Sequence, residues 1–126
     1  MASLTAIIVD DEKDVSELFS DLIELRCIKI VGLGFTGFHA ISLVNEKKPD
    51  VVFLNIHMPE LNGVEALKEI KKNYPKTHVV MITSDVSVDV KKLSQYGAIA
   101  TLFKPFDMQK IMQVIDEIQR SKYKSS

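Results

Sequence analysis

Several short apolar runs in this sequence end on side chains that could do chemistry. Asp10-Asp11 closes Ala6-Ile7-Ile8-Val9, Asn55 closes Val51-Val52-Phe53-Leu54, Thr83-Ser84 closes Val79-Val80-Met81-Ile82, and Lys104-Pro105 closes Ile99 to Phe103. Adjacent carboxylates offer the hard anionic oxygens that magnesium prefers. Two carboxylates ~4 Å apart repel by roughly 1 kcal/mol in water and about 4 kcal/mol at an effective dielectric of 20. Without a metal, the acidic pair therefore needs the Lys104 ammonium or a shared proton. The Asn55 amide carries no charge and is a far poorer nucleophile than a carboxylate. Each residue also has an ordinary structural role open to it. Asp10-Asp11 could cap a helix and complement its dipole, Thr83 could be a β-branched strand end, and Lys104 could be a solvated lysine. Their joint placement at strand ends sets them apart.

The elements that must position these groups follow from hydrophobic periodicity. Ala6 to Val9 reads as a strand buried on both faces, followed by Val15, Leu18, Phe19, Leu22, Ile23 and Arg26 at the spacing of an amphipathic helix. Ile28 to Leu33 gives a second strand. Phe38, Ile41 and Val44 mark a helix that stops before Lys48-Pro49, because the residue preceding proline disfavours helical geometry. Val51 to Leu54 is the third strand. Asn62 caps a helix carrying Val64, Leu67 and Ile70 that ends at Tyr74-Pro75. Val79 to Ile82 is the fourth strand, and a weaker helix with Val86, Val90 and Leu93 on one face stops at Gly97. Ile99 to Phe103 is the fifth strand. Met108, Ile111, Met112, Ile115 and Ile118 stripe the last helix, and Ser121 to Ser126 reads as a frayed tail. Alternating strands and helices without hairpin signals predict an α/β domain with a parallel sheet covered on both faces. Ligands of such sheets sit beyond the carboxyl ends of the strands.

Composition narrows the function classes. At 126 residues, 46% hydrophobic and 26% charged, the chain fits one domain and is too apolar for intrinsic disorder. Lys and Arg (16) nearly balance Asp and Glu (17), which leaves no broad basic footprint for direct nucleic-acid binding. Cys27 is the single cysteine, read as helix-end packing, so an internal disulfide and a multi-cysteine zinc site are excluded. His39 and His78 are expected in surface or loop positions, and the His57 ring lacks a second histidine or cysteine nearby with which to bind zinc. No run approaches the ~18 apolar residues of a membrane span, and the N-terminus enters a strand without a leader pattern. A cytoplasmic domain is expected.

Five segments, in order, carry a family likeness: Ile8-Val9-Asp10-Asp11, Pro49-Asp50-Val51-Val52-Phe53-Leu54, Met58-Pro59-Glu60-Leu61-Asn62-Gly63, Ile82-Thr83-Ser84 and Lys104-Pro105-Phe106. Together they closely resemble the receiver domain of two-component response regulators, of the chemotaxis-regulator (CheY-like) type. The resemblance covers essentially the whole chain, with 1–121 as a single receiver domain and 122–126 as a C-terminal tail. It implies a flavodoxin-like (βα)5 fold, a doubly wound five-stranded parallel sheet in the order 2-1-3-4-5. It further implies Mg2+ held by Asp10, Asp11, the residue at position 55 and the backbone carbonyl of His57, with Thr83 and Lys104 engaging phosphoryl oxygens. The family's phospho-acceptor is an aspartate, and here that position is Asn55. An amide oxygen leaves no stable acyl phosphate and one fewer anionic ligand, so this chain is expected to be phosphorylation-incompetent with weakened Mg2+ binding. Thr101 stands where the family has a switching aromatic, so any switching would rely more on the loop after Thr83. His57 and Asp85 match positions that flank the phosphate, Ser84 is small enough to admit a phosphodonor, and the Lys104-Pro105 bond is expected to be cis.

The favoured function is a stand-alone receiver of phosphorelay signalling, not an enzyme, whose acceptor has been replaced by engineering or natural loss. Its expected partners are a histidine kinase or phosphotransfer protein and a downstream protein met through the fourth helix, fifth strand and fifth helix. It is expected to be a monomer or weak dimer. With no effector domain after the last helix, output must pass through a partner, or the chain is excised from a longer regulator. The alternative is a natural pseudo-receiver that works as a protein-binding module without phosphate. A flavodoxin-like cofactor carrier is disfavoured, since the first loop offers acids where a flavin phosphate wants amides and hydroxyls. No serine or cysteine with a positioned base points to a hydrolase.

Overall fold

The computed structural model describes residues 4–26 and 28–124. Strands and helices alternate along the chain: β1 (Leu4–Val9), α1 (Lys13–Glu24), β2 (Ile28–Gly34), α2 (Gly37–Lys47), β3 (Val51–Asn55), α3 (Gly63–Asn73), β4 (His78–Thr83), α4 (Val90–Gln95), β5 (Ala100–Phe103) and α5 (Met108–Lys124). All neighbouring strands are parallel, and the sheet order is β2-β1-β3-β4-β5, as expected. Cys27, expected in helix-end packing, lies outside the described residues.

Side chains along a strand point alternately to opposite faces, so a strand covered on both sides must be apolar throughout. In β3, Val51 and Phe53 enter one core while Val52 and Leu54 enter the other. The first core is closed by Phe19 and Ile23 of α1 and by Ile111, Val114, Ile115 and Ile118 of α5. The second is closed by Ala40 and Val44 of α2, Ala66, Leu67 and Ile70 of α3, and Leu93 of α4. Phe19 joins α1 to the sheet and to the last loop, with its ring 5.0 Å from that of Phe53 and 4.5 Å from that of Phe106.

Helix boundaries follow local chemistry. The Thr36, Asn62 and Asp89 side chains accept backbone N–H bonds from His39, Glu65 and Lys92 and so start α2, α3 and α4. α2 stops at Lys47, and Lys48 takes a left-handed conformation (φ 47°) ahead of Pro49. Some expectations shift. Val86 is not in a helix and is 85% exposed. Asp85 accepts bonds from the Ser87 N–H and hydroxyl, and this side-chain turn postpones helix formation until the Asp89 cap. α1 ends at Glu24, before Arg26. Leu18, Phe38 and Met112 are exposed rather than part of the buried stripes. His78 is the first residue of β4 rather than a loop residue. α5 continues to Lys124, into the segment read from sequence as a frayed tail. Among the described residues, no helix is long and apolar enough to cross a membrane.

Candidate functional site

The strand order puts β1, β3, β4 and β5 side by side, and the chain leaves β1 toward one edge before returning to β3, which opens a crevice at their carboxyl ends. Asp10 and Asp11 follow β1, Asn55 and Thr83 close β3 and β4, and Lys104 follows β5. Gly63 brings the start of α3 onto this rim. Its N–H donates to the Ile56 carbonyl at 2.7 Å, and a Cβ there would collide with the Asn55 carbonyl.

Asp10 is 1% exposed, and each of its carboxylate oxygens has a donor. Oδ1 accepts from the Glu12 N–H at 2.9 Å, and Oδ2 accepts from the Lys104 Nζ at 2.7 Å. The ammonium also lies 3.8 Å from Glu12 Oε1, and the Lys104 side chain is 14% exposed. In such a poorly solvated pair, loss of either partner leaves an uncompensated buried charge. The Lys104-Pro105 bond is cis, and the Lys104 N–H donates to the Thr83 carbonyl at 2.9 Å, which fixes β5 against β4 at the rim.

Asn55 is 5% exposed and donates both ways from Nδ2, to Asp11 Oδ1 at 3.3 Å and to the His57 carbonyl at 2.9 Å. The reverse orientation of the amide would turn its oxygen toward two other oxygens, so this network selects the orientation. The His57 ring faces outward and meets Asp85, Nε2 to Oδ2, at 3.0 Å. Hydrogen bonds from the Ser87 hydroxyl and backbone, then from His57, hold the Asp85 carboxyl below its ordinary range. Thr83 is buried, and its Oγ1 accepts from the Asp85 N–H at 3.0 Å. Ser84 is exposed at the mouth. The Thr101 hydroxyl is buried without a hydrogen-bond partner among the described residues.

The expected residues therefore share one rim, with direct contacts linking Lys104 to Asp10, Asn55 to Asp11 and His57, and Asp85 to His57 and Thr83. Sequence reasoning missed Glu12. One oxygen each from Asp10, Asp11 and Glu12 lies within 4.8 Å of the others, and the unbroken acidic run Asp10-Asp11-Glu12 is the signal that could have found it. Three carboxylates suit a hard divalent cation. Asn55 does not fit that role as it stands, because it presents N–H groups rather than its oxygen to the expected ligand groups.

Residues 6–116 match the model of the response regulator receiver domain family. Over 124 residues, 97% of this chain and 54% of the relative, the sequence is 26% identical to the probable C4-dicarboxylate response regulator DctR of Priestia megaterium. It is 28% identical to the chemotaxis protein CheY of Thermotoga maritima over 115 residues, covering 90% of this chain and 96% of that protein. The chain thus spans about half of DctR but nearly all of CheY. The crystal structure of the response regulator domain of Thermotoga maritima CheB superposes with a TM-score of 0.81 at 29% identity, covering 94% of this chain and 96% of that one. With the strand order, the strand-end crevice and the family match in agreement, the chain belongs to the CheY-like receiver domains of two-component response regulators.

Proposed function

We propose that this receiver transmits signals through protein contacts and does not accept a phosphoryl group, because the side chain at its acceptor position is the Asn55 amide. The observation that carries the reading is the place of Asn55: at the end of β3, buried, and hydrogen-bonded within the acidic rim. Phosphoryl transfer to a receiver needs an anionic oxygen in line with phosphorus, with positive charge nearby to neutralise the transferring group. Lys104 supplies positive charge and Thr83 a buried hydroxyl, but the amide supplies no anion. Receiver domains generally bind Mg2+ at this acidic pocket, where it offsets charge. Here Asp10, Asp11 and Glu12 are the residues suited to hold the ion, and Asn55 weakens the site.

As a receiver, the chain is a signalling module rather than an enzyme, acting in the cytoplasm. A histidine kinase or phosphotransfer protein is its upstream partner by kinship. A downstream protein is its output partner, met through the α4, β5 and α5 face, with no direct nucleic-acid contact. The protein works as a monomer or weak dimer. The second reading, a phosphate-independent pseudo-receiver, is favoured by the Asn55 amide nitrogen, which donates to both the Asp11 carboxylate and the His57 carbonyl.

The test pairs this protein with Asn55→Asp. Both are incubated with a small phosphodonor or beryllofluoride in Mg2+, and the backbone amides around positions 55 and 83 are followed by NMR. A response confined to the aspartate form supports a receiver silenced at the acceptor. Silence in both forms favours the pseudo-receiver, and a response in both sinks the acceptor assignment.

A further inference from the structure

We infer that the Asn55 side-chain amide takes the place of the divalent cation, its N–H groups binding the Asp11 carboxylate and the His57 carbonyl so that the crevice stays assembled with no ion bound. The inference rests on the receiver reading of this rim and concerns how the rim is kept in shape. A primary amide has two N–H donors on one nitrogen, which lets it reach two acceptors at once. At Asn55 those acceptors come from different loops: Asp11 between β1 and α1, and His57 between β3 and α3. The family resemblance implies that a cation would be held by the same two groups, the Asp11 carboxylate and the His57 carbonyl. The other member of the acidic pair is provided for separately, with Asp10 bonded by the Lys104 ammonium and the Glu12 N–H. Each member of the pair thus has a donor without metal.

The amide is also held in position. Its backbone lies in β3, where Asn55 pairs with Ile82, and the start of α3 closes over its carbonyl at Gly63. For an ion to gain position 55 as a ligand, the amide must turn its oxygen inward and give up both hydrogen bonds. The weakening of Mg2+ binding therefore exceeds what the missing charge alone produces. A partner that reads these two loops would meet the same surface whether the cation is scarce or abundant.

Thermal unfolding of this protein, Asn55→Asp and Asn55→Ala, each in EDTA and in millimolar Mg2+, tests this. The midpoint of the Asn55 protein should be the same in both buffers to within about 1 °C, whereas Mg2+ should raise the Asn55→Asp midpoint by roughly 4 °C or more. In EDTA both variants should melt below the Asn55 protein. Mg2+ affinity of the Asn55 protein should be at least ~10-fold weaker than that of Asn55→Asp, since a hydrogen bond to a charged group is given up on binding. A midpoint of the Asn55 protein that rises with Mg2+ as far as that of Asn55→Asp would overturn the inference, as would an Asn55→Ala protein as stable as the Asn55 protein in EDTA. Should Asn55→Ala fail to fold, the Asn55 side-chain amide resonances decide: unmoved by Mg2+ they support the inference, and displaced they refute it. Phosphorylation is scored separately, so a metal-responsive Asn55 protein that takes no phosphate ends this inference and leaves the receiver reading intact.

Discussion

Lys104 meets Asp10 at 2.7 Å in a place where Asp10 is almost shut off from water, so the two charges depend on each other. Removing only the cation leaves a buried acid whose remaining donor on Oδ1 is the Glu12 N–H. Lys104→Met should therefore cost about 3 kcal/mol in urea unfolding, near the lower end for breaking a buried pair because the rim is open at Glu12. Adding Asp10→Asn to that variant removes the stranded charge and should recover a good part of the loss. A double-mutant cycle reads the coupling, expected at ~1–3 kcal/mol for groups in direct contact. Strictly additive losses would mean that the ion pair is not what holds the rim together. The residue types of this pair were legible in the sequence, because acids and a lysine each ended a buried strand. The distance between them was not, since it depends on packing residues far apart in the chain.

The loop from β3 to α3 shows what an element must do for such a site. Asn62 starts α3 by accepting the Glu65 N–H at 3.0 Å, while Gly63 lets the helix lie against the end of β3. Substitutions at these neighbours should therefore separate cap from contact. Asn62→Ala should cost about 1 kcal/mol, the usual price of a lost cap, and leave the Asn55 side-chain amide resonances in place. Gly63→Ala should cost roughly 1–3 kcal/mol by overpacking and displace those resonances, because the new methyl pushes on the Asn55 carbonyl. Equal and silent spectra in both variants would refute the view that α3 positions Asn55. Asn62 could be read as a cap from its place before an apolar stripe, and Gly63 as part of a family segment. The collision that requires glycine was hidden, because it involves the backbone of another element. The late start of α4 escaped for a similar reason: periodicity counted Val86 as a helical residue, but the Ser87 bonds to Asp85 decide its backbone.

At the scale of the whole molecule, the fold was the most legible feature, because a doubly covered parallel sheet requires strands such as Val51 to Leu54 to be apolar at every position. Exposed apolar residues such as Leu18 and Phe38 blurred the helix faces, since periodicity does not say how wide the buried stripe is. The orientation of the Asn55 amide was beyond sequence altogether, being set by oxygens from two loops. The same architecture bears on cooperativity. Two cores lie on opposite faces of one sheet, and β1, β3 and β4 contribute alternate side chains to both. Neither core can come apart without exposing the strands that carry the other, so the domain should unfold in a single transition. Ile23→Val on the α1 face and Ile70→Val on the α3 face each delete one buried methylene, and each should cost ~0.5–1.5 kcal/mol. Because the sheet separates them, the double variant should lose the sum to within about 0.5 kcal/mol, with an unchanged denaturant slope. Coincident fluorescence and circular-dichroism transitions in all three variants would fit one cooperative unit. A second transition in either single variant would instead mean that the helices on one face can leave while the sheet and the other core persist. The crevice would then be supported unequally, since Asp10 follows β1, which serves both cores, whereas Lys104 follows β5, whose Leu102 lies in the core closed by α1 and α5.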